Sequence, residues 1–263
     1  MSGPGRASWQ LVLSCEHASP AVPVELHTLG LPAGLLRSHR SYDQGALPIA
    51  EALAAAFAVP LVRGQWSRLV ADLNRSHDHG RVVARAVDGQ PVPGNARLSA
   101  AERALRLWTY WAPYRSELRT RVAMAAAAGP VLHLSVHSFT PELGGVVRRN
   151  DLGLLFDPAR PRERSVCEQL RAGLSAAGLS VRFNFPYFGH TDGVTTWLRG
   201  GFGARRYVGV EVECNQRLVA TGAGQRQVAR ALVGALGPVL GAAAGAPEEP
   251  PRRRRSGAAP RRR

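Results

Sequence analysis

Two histidines stand directly after apolar strands, at the point where each strand ends. Residues 11–13 (Leu-Val-Leu) lead into Glu16 and His17, and residues 131–136 lead into His137. In an open α/β sheet the carboxyl ends of parallel strands form one edge, and such sheets bind their ligands at that edge. Neutral imidazoles are ligands for zinc. We therefore expect the two rings to converge on a shared metal ion.

Carboxylates near these histidines complete the parts that a metal hydrolase requires. Such a site needs a further protein ligand, an open position for water, and a carboxylate that takes the proton of that water. Asp43, in a loop ahead of a predicted helix at 45–58, is our first choice as the third ligand. Glu16 is the second choice, because neighbouring residues of an extended segment point in opposite directions. The alternative role for Asp43 is to cap the helix.

Two glutamates interrupt an otherwise apolar strand predicted at 207–213. Glu211 and Glu213 are two positions apart, so their side chains project from the same face of a strand. Burial of unpaired carboxylates is costly, and we therefore expect a cation or a shared proton beside them. One of the two can then serve the water at the metal. The alternative is that both pair with arginines at the strand end.

Composition excludes several other kinds of site. The chain has 34 basic Lys and Arg side chains and all are arginines, which excludes a Walker A lysine and a Schiff-base lysine. Cys15, Cys167 and Cys214 form no Cys-x-x-Cys pair, so neither a disulfide framework nor a thiolate zinc cluster is indicated, and a reducing cytoplasm fits best. The first apolar segment is too short for a signal peptide or a membrane span.

The net charge of +15 is concentrated in part at the end of the chain. Residues 244–263 combine proline with seven arginines, and we expect a disordered tail there. A flexible N-terminus at 1–8 and one domain at 9–243 complete the predicted organisation. Nucleic-acid binding is expected only through the arginine-rich tail. The alternative is that the tail is simply solvated.

Strand and helix patterns alternate along the domain. This alternation predicts a single α/β domain with a mostly parallel sheet that is covered by helices on both faces. Further strands are predicted at 59–62, 131–136, 153–157 and 181–185, and helices at 45–58, 99–128, 162–177 and 225–240. A bend is expected in the second helix at Pro113. Residues 67–75 are predicted as a short strand and turn, and residues 76–95 as a long surface loop.

Six ordered segments resemble the N-formylglutamate amidohydrolase family between about residues 10 and 220. The string Ser-Arg-Leu-Val-Ala-Asp-Leu-Asn-Arg at 67–75 is the most distinctive of them. The other segments lie at 14–23, 42–46, 136–141, 184–187 and 213–216. The resemblance implies a relative of the zinc carboxypeptidases and aminoacylases, with a mixed sheet sandwiched between helices. It also implies one zinc ion and hydrolysis of an N-acyl amide, the N-formyl group of an acidic amino acid being the first candidate.

The same resemblance assigns the metal site and its proton carrier. His17 and His137 match the two metal histidines, and Glu213 matches the glutamate that acts as general base and acid. Pro20 stands where the carboxypeptidase pattern has a glutamate ligand. The third ligand must therefore come from elsewhere, and both Asp43 and Glu16 remain open.

Substrate contacts are expected from four further positions. Asn74 and Arg75 suit the α-carboxylate of an N-acyl amino acid, because a guanidinium binds a carboxylate through two parallel hydrogen bonds. Arg68 is the candidate that polarises the scissile carbonyl, Tyr187 lies in a predicted pocket loop, and Asp72 is expected to support an arginine.

Two alternative functions remain: a noncatalytic protein that binds a metabolite or anion on this fold, and a nucleic-acid-associated protein that acts through its tail.

Overall fold

The computed structural model describes residues 9–241, which form one mixed sheet with helices on both faces. Its strands are β1 Gln10–Cys15, β2 Leu61–Arg63, β3 Ala86–Val87, β4 Gln90–Pro91, β5 Val131–Phe139, β6 Glu142–Leu143, β7 Val146–Val147, β8 Leu152–Leu155, β9 Val181–Phe183 and β10 Tyr207–Asn215. Six of them form the main sheet in the order β2-β1-β5-β10-β8-β9. The pairs β3-β4 and β6-β7 are separate hairpins.

Every neighbouring pair of strands in the main sheet is parallel except the pair of β8 and β10, which is antiparallel. The helices are α1 Ala33–Leu36, α2 Ala46–Phe57, α3 Pro93–Ala96, α4 Ala100–Arg106, α5 Ala112–Ala128, α6 Pro161–Ala176, α7 Val194–Gly201, α8 Gln216–Val219 and α9 Gly222–Leu240. Apolar side chains of α2, α6 and α9 form the core on one face of the sheet. Those of α5 and α7 cover the other face. The predicted fold class is confirmed.

The central strands β5 and β10 separate apolar from chemically active side chains by simple alternation. On β5, Leu132, Leu134 and Val136 belong to the core beneath α2, α6 and α9. Successive strand residues point to opposite faces, so the residues between them share the face that α5 and α7 cover. Polar side chains on that face of β5 and β10 include His133, Ser135, His137, Glu211 and Glu213.

Several predicted elements differ in detail from the structure. Residues 67–75 contain turns and no strand, because the Ser67 hydroxyl accepts the N–H of Leu69 at 3.1 Å and bends the chain. The loop predicted at 76–95 holds the β3-β4 hairpin and the start of α3, and the buried Asn95 fixes it by donating to the carbonyls of Leu69 and Ala84. Helix α7 was not predicted, since its Val-Thr-Thr start and Gly-Gly end are poor helix formers.

The helix predicted at 99–128 is instead three consecutive segments. Ser99 and Glu102 form the expected capping box at the start of α4. A π-helical turn, Leu107–Trp111, then joins α4 to α5. Pro113 lies at the beginning of α5 and has no N–H to offer the preceding turn, so the expected bend takes the form of this widened turn.

The two predicted terminal segments, residues 1–8 and 244–263, lie outside the described residues. Between residues 9 and 241, none of the helices combines the length and the apolar character needed to cross a bilayer.

Candidate active site

His17 follows β1 and is held from one side by a carboxylate. Its Nε2 lies 2.7 Å from Oδ1 of Asp72, and its Nδ1 lies 3.4 Å from Oδ2 of Asp43. Asp72 was expected to support an arginine, but in the structure its partner is His17. Burial would raise the pKa of Asp72, but His17 and then Arg68 hold that pKa well below its usual range. Asp72 therefore stays ionised and fixes the orientation of the ring.

His137, on β5, is held in the same way by Glu16. Its Nε2 lies 3.1 Å from Oε2 of Glu16 and 2.9 Å from the Ser135 hydroxyl. Its Nδ1 lies 2.8 Å from Oδ2 of Asp43. Glu16 is fully buried, accepts a further hydrogen bond of 2.7 Å from the Tyr114 hydroxyl, and does not line the active-site cavity. The structure thus places the second-choice metal ligand behind a histidine.

His17, Asp43 and His137 bring one donor atom each to within 4.8 Å of one another, and all three residues are buried. Two imidazole nitrogens and one carboxylate oxygen make the donor set of a catalytic zinc site that keeps a position for water. Helix α2 begins after Gly45 without a side-chain cap, so Asp43 is not a helix cap. Burial opposes the charge on Asp43, but Arg68 and His17 beside it hold its pKa well below the usual range. The residues therefore fit a divalent cation.

Arg68 places a guanidinium beside this cluster. Its Nη2 donates to Oδ1 of Asp43 at 3.0 Å and also contacts Nδ1 of His17. The backbone of the turn is fixed by a hydrogen bond of 3.0 Å from the Arg68 N–H to the carbonyl of Ser41. A rigid turn thus directs one permanent positive charge into the cavity.

Glu213 presents a buried carboxyl that lacks a protein partner. Only 5% of the residue is exposed, and its Oε2 has no hydrogen-bond partner among the described residues. Burial, with the negative charges of Asp43 and Glu211, raises the pKa of Glu213 to about 8. Glu211 is instead satisfied, because it accepts a hydrogen bond of 2.7 Å from Thr195. Between residues 9 and 241, neither glutamate forms the arginine ion pair that was the alternative.

Asn74 and Arg75 stand side by side in the turn that follows Asp72. The Asn74 Oδ1 accepts the N–H of Val194 at 2.7 Å, whereas its Nδ2 lies 3.5 Å from Glu211, at the limit of a hydrogen bond. The Arg75 side chain is 38% exposed and lies 3.9 Å from the carboxylate of Asp192. The Asn74 amide therefore retains donor capacity, and the Arg75 guanidinium remains accessible.

Eight of the residues that the sequence singled out line one cavity of about 190 Å³. They are His17, Asp43, Arg68, Asn74, Arg75, His137, Tyr187 and Glu213. Tyr187 forms an outer part of the wall, with 43% of the residue exposed. Sequence reasoning did not single out Ser135, Tyr114 or Thr195. Only Ser135 carried a signal, its position on the same strand face as His137. Tyr114 and Thr195 lie on helices and donate hydrogen bonds to Glu16 and Glu211.

The chain matches known proteins along most of its length. The family model for N-formylglutamate amidohydrolase matches residues 9–220. The gene product Atu2144 of Agrobacterium tumefaciens is 33% identical, with 89% of this chain and 92% of that chain covered and a TM-score of 0.77. An N-formylglutamate amidohydrolase of Ralstonia eutropha JMP134 is 20% identical, with 89% and 95% covered and a TM-score of 0.69, which shows a shared fold.

No curated protein sequence matches the chain. The family model nevertheless spans the six motifs and every residue of the cavity. The chain belongs to the N-formylglutamate amidohydrolase family and is an amidohydrolase.

Proposed function

We propose that the protein is a zinc-dependent hydrolase that cleaves the N-acyl amide of an acidic amino acid, with N-formylglutamate as the first candidate substrate. The observation that carries this proposal is the convergence of His17, Asp43 and His137 opposite a buried carboxyl, Glu213, that has no partner. The family membership and the name of the Ralstonia eutropha relative support the choice of substrate.

His17, Asp43 and His137 would hold the zinc ion. Bound there, zinc supplies Lewis-acid chemistry, which activates water near neutral pH and polarises an acyl oxygen. Asp72 and Glu16 keep both Nε2 atoms engaged, and this leaves the two Nδ1 atoms directed at Asp43. Carboxylates that hold metal-binding histidines in this way fix the ring orientation and increase the basicity of the ligand.

Glu213 is assigned to proton transfer. A general base works best when its pKa lies near the operating pH, and burial raises the pKa of Glu213 to about 8. Glu213 accepts a proton from the attacking water as the new C–O bond forms. It then gives the proton to the amide nitrogen as the C–N bond breaks. The products are a free amino acid and the carboxylate of the acyl group, formate for a formyl substrate.

The remaining cavity residues are assigned to the substrate. Arg68 stabilises the negative charge that develops on the carbonyl oxygen, because its guanidinium lies beside the cluster and stays charged. Arg75 binds the α-carboxylate, and Asn74 uses the free capacity of its Nδ2 to donate to the same group. Tyr187 closes the outer wall. With these roles, the four side chains would hold a small N-acyl amino acid within a cavity of about 190 Å³.

Metal analysis and a substrate panel test this proposal. We expect about one equivalent of zinc in the purified protein, and its loss in His137→Ala. The matched control is His77→Ala, which removes a histidine whose side chain is 74% exposed. Amino acid release should be greatest with N-formylglutamate in a panel of N-formyl, N-acetyl and N-succinyl amino acids. Bound zinc without release from any member of this panel would refute the substrate class.

A further inference from the structure

Arg148 contacts Tyr187, a residue of the cavity wall, and its backbone is fixed. It follows β7, and its N–H donates to the carbonyl of Pro141 at 2.7 Å. Its own carbonyl accepts a hydrogen bond of 2.9 Å from Asn215, the last residue of β10. Both contacts lie at the carboxyl ends of β5 and β10, the strands that carry His137 and Glu213. The Arg148 side chain therefore starts from a rigid position beside the proposed site.

The Arg148 guanidinium is buried without an acidic partner. The residue is only 9% exposed, and between residues 9 and 241 no Asp or Glu forms an ion pair with it. Its Nη1 lies 3.5 Å from the carbonyl and hydroxyl of Thr140 and from the Tyr187 hydroxyl, which is the limit of a hydrogen bond. Buried charges in proteins are normally paired and fully hydrogen-bonded, so this charge lacks an anion.

Among the described residues Arg115 is likewise buried without an acidic partner, but its Nη2 donates a hydrogen bond of 2.7 Å to the carbonyl of Arg75. Two other arginines near the site do have an acidic partner. Arg68 is paired with Asp43 at 3.0 Å, and the buried Arg199 is paired with Glu163 at 2.9 Å. Arg148 is instead flanked by aromatic rings, with its guanidinium carbon 6.0 Å from the Phe139 ring and 5.4 Å from the Tyr187 ring. Rings of this kind hold a cation in place without neutralising it.

Because Arg148 contacts Tyr187, its guanidinium lies directly behind a residue that lines the cavity. Tyr187 lines the cavity together with His137 and Glu213, and Phe139 is two residues beyond His137 on β5. A substrate whose amide lies at the cluster extends past Tyr187 if it carries a further group. A negatively charged group at that point would supply the anion that the Arg148 guanidinium lacks.

We propose that Arg148 recognises a second carboxylate of the substrate, in addition to the α-carboxylate assigned to Arg75. This inference rests on the proposed function and names the residue that determines specificity. Either of two parts of an N-acyl amino acid can carry the second carboxylate: an acidic side chain, or a dicarboxylic acyl group such as succinyl. In both cases a planar guanidinium would bind a carboxylate through two parallel hydrogen bonds.

Two substrate pairs distinguish these sources in the full-length, zinc-loaded enzyme. N-formylglutamate against N-formylglutamine tests the side chain, and N-succinylglutamine against N-acetylglutamine tests the acyl group. We expect kcat/KM of the wild type to favour the member with the second carboxylate in one pair by roughly 10- to 100-fold. In Arg148→Met this preference should fall below about threefold, with the member that has only the α-carboxylate hydrolysed as before.

The neighbouring Arg149 provides the matched control, because Arg149→Met removes the same charge from an exposed position one residue away. This variant should keep the wild-type preference. Arg148→Lys retains the charge but loses the fork, and it should show an intermediate preference. The lysine variant also keeps the inference testable if the methionine variant does not fold.

Failure of the inference differs from failure of the proposed function. A wild type that hydrolyses both members of each pair equally, or an Arg148→Met variant that keeps the preference, would overturn the role of Arg148. If no N-acyl amino acid is hydrolysed, the proposed function fails, and calorimetric binding of L-glutamate, L-glutamine, succinate and propionate to the same variants decides the inference. Preferential binding of L-glutamate over L-glutamine, or of succinate over propionate, that only the Arg148 variants lose would support the inference, and equal binding would overturn it.

Discussion

Glu213→Gln isolates the energetic cost of the buried carboxyl, because glutamine keeps the size and shape of the side chain and removes its charge. Burial first, and then Asp43 and Glu211, raise the pKa of Glu213 from 4.5 to about 8. A carboxyl with a raised pKa stabilises the folded state fully only below the pKa of the unfolded chain. This stabilisation is lost as the pH rises from about 4.5 through about 8, and it is absent above that range.

The size of the effect follows from the shift in pKa. At about 1.36 kcal/mol per pKa unit, the full shift corresponds to about 5 kcal/mol. Relaxation of the protein and water penetration reduce such costs, so we expect about 2–3 kcal/mol. The free energy of unfolding of Glu213→Gln, relative to wild type, should therefore increase by this amount between pH 4.5 and pH 8.5. The amide has its own burial cost, but that cost does not change with pH.

Urea unfolding monitored by tryptophan fluorescence measures this difference in chelator-treated protein. Glu168→Gln is the control, because Glu168 is an exposed residue of α6 and should give two parallel curves. The reasoning would be refuted if the gap between Glu213→Gln and wild type stayed constant over this pH range. With zinc restored, the same variant should lose at least about 100-fold in kcat, since it cannot accept a proton.

Three further substitutions test the groups that hold the site. Glu16→Gln and Asp72→Asn each weaken the hydrogen bond that orients one histidine. Each should lower zinc affinity by about 10- to 100-fold, measured by competition with a chromogenic chelator. Unchanged affinity would show that these carboxylates do not support the histidines. Arg115→Met removes a donor that reaches the carbonyl of Arg75 at 2.7 Å. Steady-state kinetics should show KM raised about tenfold with kcat nearly unchanged, and an equal fall in kcat would argue for a general loss of structure instead.

The sequence predicted those parts of the site that depend on local pattern. Strand alternation alone indicated that Glu211 and Glu213 share a face, and the ends of two apolar runs indicated where His17 and His137 would lie. The alternation of strands and helices also predicted a mostly parallel sheet. It carried no signal for the antiparallel direction of β8, because strand direction depends on the path of the connecting chain.

The position of Glu16 shows what local pattern cannot supply. β1 and β5 are neighbours, with Ser14 in register with Ser135. The chain beyond Ser14 therefore brings Glu16 beside the next residue on the same face of β5, which is His137. Sequence alone specifies neither the adjacency of these strands nor their register. The partner of Asp72 likewise depends on how the turn at 67–75 crosses the end of β1.

The buried carboxylates around the cluster explain why this part of the site requires additional positive charge. Glu16, Asp43 and Asp72 are buried or nearly so, and Arg68 forms an ion pair with only one of them, Asp43. Burial makes an uncompensated negative charge costly, and one guanidinium balances only one of three carboxylates. Burial opposes the charge on His137, but Asp43 and Glu16 raise its pKa well above the usual value, so protons supply part of the missing charge. A divalent cation that displaces those protons restores the same balance, because metal ligation requires neutral imidazoles.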